Sequence, residues 1–240
     1  MRIPRVLIRA ELLPGQTVDL PRDQAHHLVK VLRLRDAHPI RLFDGAGREF
    51  EGRLQGTSRA LVDGPVERAV ESPLAVRLIQ GISRGQKMDY ALQKAVELGV
   101  TCLQPAFCER SVVRLDSKRL EKRMDHWQGV IESACAQSGR TRVPTLEPAI
   151  NLLELPIPAQ GTGLYLDPEA SQSLADVPRP GSVSLVIGPE GGLSPLECRH
   201  LAGQGFEAVQ LGPRVLRTET ASVAALTAVQ LLWGDLSQSC

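Results

Sequence analysis

Residues 183–197 read Val183-Ser-Leu-Val-Ile-Gly-Pro-Glu-Gly-Gly-Leu-Ser-Pro-Leu-Glu197, and the order in which their chemistry changes decides the fold class. An apolar run ends at Gly188, a glycine-rich turn follows, and a helix then starts. Ser194 and Glu197 have the spacing of a capping box. Pro195 falls at the first helical position, where its missing N–H costs nothing. Glycine lets backbone approach a ligand closely, and ligands of open α/β sheets bind beyond the carboxyl ends of the strands, where this turn lies. Neither the Walker A nor the G-x-G-x-x-G spacing is present, so ordinary nucleotide and Rossmann dinucleotide binding lose their main support. A tight strand-to-helix turn without a ligand is the plain alternative.

The same construction recurs downstream. A strand around Ala208-Val-Gln-Leu leads into Leu211-Gly-Pro-Arg-Val-Leu-Arg-Thr-Glu-Thr-Ala221, and a helix rich in small residues follows (Ala221, Ala224, Ala225, Ala228). Upstream, Gly163-Leu-Tyr-Leu166 and Ala75-Val-Arg-Leu-Ile79 read as strands. Lys87 to Leu98 is a helix with Met88, Leu92, Ala95 and Leu98 on one face and Gly99 as its stop. Val100-Thr-Cys-Leu103 is the next strand, and Ser117 can cap a long helix striped by Leu120, Met124, Trp127, Ile131 and Ala134. Strands alternating with helices imply a mainly parallel sheet covered on both faces.

Glu71-Ser-Pro73 marks a change of character. Before it, short strands dominate: Ile40-Arg-Leu-Phe43 and Arg48 to Leu54 flank an Asp44-Gly turn as a hairpin, with further strands at Ala60-Leu-Val-Asp63 and Val66. Asp23 to Arg35 is expected as the one helix here, with Ala25, Leu28, Val29 and Leu32 on its apolar face. The expected organisation is α/β overall, with a small β-rich domain over residues 1–72, plausible as a barrel, and an α/β domain over residues 73–240.

Of the 240 residues, 42 % are hydrophobic and 23 % charged, which permits a packed core. No apolar run is long enough to span a bilayer and no signal-peptide stretch opens the chain, so a cytoplasmic location is the default expectation. Five scattered cysteines (Cys102, Cys108, Cys135, Cys198, Cys240) form no Cys-x-x-Cys pair, which signals neither a disulfide framework nor a zinc cage; no metal is expected. Net charge is +1, but unevenly spread: residues 1–146 hold 24 Lys and Arg against 17 Asp and Glu, and residues 147–240 hold 4 against 10. This asymmetry suggests that the first part faces a polyanion; charge complementarity between subunits or domains is the alternative. Aromatic residues make up only 3 %, so phosphate contact and shape recognition are favoured over base stacking on an aromatic platform. Arg5, Arg9, Lys30, Arg33 and Arg35 form the basic density of the first domain and are its candidate polyanion contacts. His26 and His27 lack a clustered third ligand and are expected to be structural or to meet the backbone of that polyanion.

The loops Ile187-Gly-Pro-Glu-Gly-Gly192 and Leu211 to Ala221 resemble the cofactor loops of the SPOUT methyltransferase superfamily. The particular resemblance is to the bacterial 16S ribosomal RNA uridine-N3 methyltransferases, the RsmE family. It extends through His26-His-Leu-Val-Lys-Val-Leu-Arg-Leu34, Phe43-Asp-Gly-Ala-Gly47, Lys87, Gln93-Lys-Ala-Val-Glu-Leu-Gly99, Arg110-Ser-Val-Val113 and Gln137-Ser-Gly-Arg-Thr-Arg-Val-Pro144, in order along nearly the whole chain. The chain departs from the family pattern at Ala136, where a Glu is usual, and at Asp36-Ala-His38, which replaces a Gly-Asp turn. The resemblance implies a PUA-like barrel followed by a SPOUT domain with a C-terminal trefoil knot, working as a homodimer on 16S rRNA of the small ribosomal subunit. It further implies an S-adenosylmethionine pocket lined by Leu166, by Gly188, Pro189, Glu190, Gly191 and Gly192, and by Leu211, Gly212, Val215, Leu216 and Thr218. Other members of the superfamily act on other RNAs or on ribose 2′-oxygens, and a noncatalytic RNA-binding protein would keep the same fold. Methylation of uracil N3 needs a base or a cation to stabilise the developing anion. Arg217 is the candidate for the cation, and Glu219 for the base, with Glu190 able to serve in either position.

Overall fold

The computed structural model describes residues 3–113, 115–158 and 160–237. Cys240 lies outside them. The chain divides into two compact units: one runs up to Glu71 and also takes in Glu132–Val143, and the other consists of Ser72–Ile131 and the chain from Pro144 onward. A linear division after residue 72 leaves that returning segment with the second domain.

In the first unit, β1 (Arg5–Leu7), β2 (Thr17–Asp19), β3 (Pro39–Phe43), β4 (Glu49–Gln55) and β5 (Arg59–Val66) form one sheet in the order β1-β3-β4-β5-β2. Pairing is antiparallel except between β1 and β3. Leu12, Ile40, Leu42, Leu54, Ala60 and Val62 are among the fully buried residues of its core. The expected helix over 23–35 is shorter and differently wound. Helix α1 (Arg22–His26) passes into one wider π-type turn at His27–Val31, where the N–H of Leu32 reaches the carbonyl of His27. The extra residue rotates the apolar face: Leu28 and Leu34 are buried, whereas Leu32 is exposed, and the chain leaves the helix at Arg33, whose φ is 55°.

The returning segment is fixed by a part-buried ion pair and by hydrogen bonds. The Glu71 carboxylate accepts the guanidinium of Arg140 at 2.7 and 2.9 Å and the backbone N–H groups of Thr141 and Arg142 at 2.9 and 3.0 Å. Burial pushes this carboxyl up, but the donors outweigh it and hold its pKa below the usual value. Arg5 corrects the sequence expectation. Its side chain is 5 % exposed; it donates to Glu49 at 2.6 Å and to the carbonyls of Cys135 and Arg140 at 2.7 and 3.0 Å, and it stacks over Phe43. It is a structural cation whose donors are spent within the protein, not an RNA contact.

The second unit is built on a parallel sheet. Its strands are β6 (Ala75–Gly81), β7 (Cys102–Phe107), β8 (Thr145–Leu146), β9 (Ile150–Asn151), β10 (Thr162–Leu166), β11 (Ser182–Ile187) and β12 (Phe206–Val209), in the order β12-β10-β11-β6-β7-β8, with β9 also on β7. Every pairing is parallel, and β6, β10 and β11 bury near-continuous apolar runs, as strands covered on both faces do. The helices are α2 (Gln86–Glu97), α3 (Ser117–Ser138), α4 (Pro195–Gly203) and α5 (Thr218–Leu232). The cap of α3 is Asp116 rather than Ser117: its carboxylate accepts the N–H of Arg119 at 2.8 Å. The final strand lies two residues earlier than Ala208–Leu211, because Phe206 fills the core while Leu211 belongs to the loop.

Candidate functional site

Three adjacent parallel strands, β12, β10 and β11, end side by side at Val209, Leu166 and Ile187. The loops that leave them enclose a cavity of about 800 Å³, lined also by Thr218 and Ala221 from the first turn of α5. Leu166, Ile187, Val209, Leu211, Val215 and Leu216 supply apolar wall. Asp167, Glu169 and Glu190 supply carboxylates, and Arg110, Arg199 and Arg214 guanidinium groups.

The Gly188–Gly192 turn takes its shape from local chemistry. The side chain of Ser194 accepts the N–H of Glu197 at 3.3 Å, and the Glu197 carboxylate accepts the N–H of Ser194 at 2.7 Å, so the capping box is complete and α4 begins at Pro195. The second oxygen of that carboxylate accepts the N–H of Glu109 at 2.8 Å, and Arg110 donates to the carbonyl of Leu193 at 3.0 Å. The turn is thereby bound to the loop after β7. From below, a Cβ on Gly81 at the end of β6 would lie 2.5 Å from the nitrogen of Pro189, a distance at which backbone must move. Only glycine fits there.

A buried polar cluster joins α5 to the same turn. Gln80, Ser222 and Thr218 are 1 %, 0 % and 6 % exposed. Thr218 Oγ1 donates to the Gly188 carbonyl at 2.7 Å, Gln80 Nε2 donates to Thr218 Oγ1 at 3.0 Å, and Ser222 Oγ lies 2.5 Å from the Gln80 carbonyl oxygen. Buried polar groups with their bonds complete specify one arrangement, here the spacing between the first turn of α5 and the strand ends.

Ten of the eleven residues that the sequence points to as pocket lining do line this cavity. Gly191 does not; it sits against the backbone of Arg110. Glu190 reaches the lining with its Oε1 accepting the N–H of Arg84 at 3.0 Å and Lys87 Nζ at 3.5 Å. Desolvation raises the pKa of this carboxyl, but the Arg84 N–H and the Lys87 charge prevail and hold it below the ordinary value. Arg217 and Glu219 are not cavity lining. Arg217 is the exposed N-cap of α5, and Glu219 is half-buried in its first turn with Oε2 buried and unpartnered. Arg110, Asp167, Glu169 and Gln210 also line the cavity, and sequence reasoning missed them; Arg214 lines it from within the expected Leu211–Thr218 loop. Asp167 directly follows Leu166 at a strand end, which is a usable signal; Arg110 comes from a distant loop and gives none beyond its place in the resemblance. In the first unit Lys30, Arg33 and Arg35 are exposed, and Arg9 is exposed but paired with Glu132.

The cavity suits a nucleoside bearing a sulfonium. Its volume is that of pockets enclosing ligands of such size, its apolar wall can take a purine ring, the glycine turn leaves backbone groups accessible, and its three carboxylates and three guanidinium groups can meet a ligand that carries charges of both signs. Among the described residues no helix is long and apolar enough to cross a membrane, and no three metal-ligating side chains cluster.

Known proteins match this chain along its length. An RNA methyltransferase domain family model matches residues 70–230, and an RNA methyltransferase PUA domain model matches residues 20–63. The ribosomal RNA small subunit methyltransferase E of Buchnera aphidicola subsp. Schizaphis graminum is 33 % identical, over 98 % of this chain and 99 % of that protein. Its namesake from Bacillus subtilis is 30 % identical, over 95 % and 97 %. The fold is similar to that of a ribosomal RNA small subunit methyltransferase E from Neisseria gonorrhoeae, crystallised bound to S-adenosyl methionine, with a TM-score of 0.90, 41 % identity and coverage of 98 % of this chain and 100 % of that one. With both domain models matched in order and such relatives aligned from end to end, the chain belongs to the ribosomal RNA small subunit methyltransferase E family.

Proposed function

We propose that this protein transfers the methyl group of S-adenosylmethionine to N3 of a uridine in the 16S rRNA of the small ribosomal subunit, in the cytoplasm and as a homodimer. The cavity at the ends of β10, β11 and β12 is the observation that carries this proposal. Leu166, the turn from Gly188 to Gly192 and the loop from Leu211 to Thr218 are its cofactor-binding residues. Bound there, the cofactor supplies an electrophilic methyl group on a sulfonium. The protein's own part is orientation and charge. The apolar wall fixes a ring, the Gly188 turn presents backbone, and the Gln80–Thr218–Ser222 cluster keeps the turn in place.

Uracil N3 attacks only as its proton leaves. Arg217, exposed at the α5 N-terminus with no side-chain bond among the described residues, is free to stabilise a developing uracil anion from outside the cofactor cavity. Glu190 is held ionised by Arg84 and Lys87, and a carboxylate with a depressed pKa is a poor proton acceptor; its part is to hold the turn and offset cationic charge. Glu219, with an unpartnered buried oxygen, is the better candidate for the base. Lys30, Arg33, Arg35 and the paired Arg9 are the RNA contacts of the first unit. Leu231 and Leu232, exposed at the end of α5, and Leu236 just beyond it offer an apolar face for the dimer. A C-terminal knot is consistent with the chain's course, since it leaves the sheet edge at β12 and returns in α5 to the ends of β6 and β11.

The test is nucleoside mass spectrometry of small subunits from cells lacking this activity, after incubation with the protein and cofactor. N3-methyluridine is expected, and a 2′-O-methylated product would contradict the assignment. In the same assay Arg217→Ala should slow single-turnover transfer by about 10²-fold and leave cofactor affinity unchanged.

A further inference from the structure

A second cavity, of about 170 Å³, opens in the catalytic unit between the start of α2, the loop after β7 and the middle of α3. Ile82, Met88 and Trp127 form an apolar floor and are at most 2 % exposed. Arg84 and Arg123 stand at its rim, both exposed. Neither guanidinium has a hydrogen-bond or ion-pair partner among the described residues. The positions three and four residues from Arg123 on α3 are Arg119, Leu120, His126 and Trp127, none of them acidic, while Glu121 and Asp125 lie two residues away, off its face. Carboxylates on the neighbouring elements are engaged elsewhere: Glu190 with the Arg84 N–H and Lys87, Asp89 with His126 at 3.0 Å, and Asp116 with Arg119.

Two unneutralised guanidinium groups at the mouth of an apolar hollow form a site for an anionic group. The cavity also adjoins the cofactor site. Arg84 bonds Glu190 through its backbone, and the loop after β7 contributes Arg110 to the large cavity and Val113 to the small one.

We propose that the mouth of this second cavity grips the RNA strand next to the target base, with a phosphate held on Arg84 and Arg123 above the Met88 and Trp127 floor. The proposal rests on the protein being an RNA methyltransferase and adds where the catalytic unit itself grips its substrate. Enzymes that act on an extruded base select it partly through contacts to the flanking nucleotides, and this cavity provides such a contact without the basic residues of the first unit.

The experiment compares wild type, Arg84→Ala/Arg123→Ala, Val113→Trp and the control Lys94→Ala in methylation of unmodified small subunits at several salt concentrations. Cofactor affinity is measured on each by calorimetry. Arg84→Ala keeps the backbone N–H that holds Glu190. The double variant should raise the half-saturating RNA concentration by about 10-fold or more and lower the salt slope by about 0.7, for the one phosphate contact withdrawn from a single-stranded backbone. Val113→Trp, which fills the cavity and removes no charge, should raise half-saturation and leave the slope alone. Cofactor affinity and Lys94→Ala should match wild type. Wild-type half-saturation in either cavity variant would overturn the proposal. A wild-type protein that methylates no RNA would instead count against the proposed function.

Discussion

Gly81 carries no functional group, yet the space beside it sets the position of the Gly188–Gly192 turn. A methyl group there would push against the nitrogen of Pro189, and displacement of a positioning group by a fraction of an ångström is costly in a preorganised site. Gly81→Ala should weaken cofactor binding by about 10-fold in calorimetry, with a correctly folded sheet by circular dichroism. Glu190 gives a prediction in pH. Its folded pKa is depressed, so the ionised form stabilises the turn above the unfolded value of about 4.5, and that contribution is lost as pH falls through the folded pKa. Cofactor affinity should therefore hold at about pH 4.5 and fall only as pH drops through the depressed folded pKa beneath it, and Glu190→Gln should flatten this limb; an identical pH profile in the variant would refute the role. Arg5 marks where reading by residue type stops. A basic residue in a basic domain looks like an RNA contact, but its partners are Glu49 and the carbonyls of Cys135 and Arg140, all brought to it by tertiary folding.

Among the elements, α5 does the most. Its small residues let it lie close to its neighbours, and Thr218 and Ser222 tie its first turns to β6 and to the Gly188–Gly192 turn. Ser222→Ala would leave the Gln80 carbonyl oxygen without its hydroxyl donor in a fully buried position. The expected cost is about 1–3 kcal/mol of unfolding free energy in denaturant titration, with weaker cofactor binding as well; a stability loss alone would show that the cluster does not shape the site. Several elements are legible in the sequence because their signals are local. The α4 capping box, Gly99 after α2 and the apolar strands β6, β10 and β11 are written in adjacent residues. The π-type turn after α1 is not legible, because only the core decides that Leu34 turns inward while Leu32 stays exposed. Nor is the true start of α5 at Thr218, which depends on the bond from Thr218 to Gly188 thirty residues earlier in the chain.

Across the whole molecule, the alternation of strands and helices and the two glycine-proline loops suffice to place the site at the ends of a parallel sheet. The order of strands, with β10 between β11 and β12, is beyond local pattern, as is the return of Glu132–Val143 to the first unit through Glu71 and Arg140. The charge asymmetry likewise has more than one source: part of it is consumed by structural arginines such as Arg5 and Arg140, and part lies on the exposed Arg84, Arg119 and Arg123 of the second unit. What unites these features is one claim, that the loops leaving β10, β11 and β12 close around S-adenosylmethionine. Calorimetric titration of the purified protein with the cofactor, without RNA, tests this most directly. Saturable binding near one site per chain, abolished when Leu211→Trp fills the cavity, is the predicted result. A folded protein that gives no binding heat and no thermal stabilisation with the cofactor would contradict it.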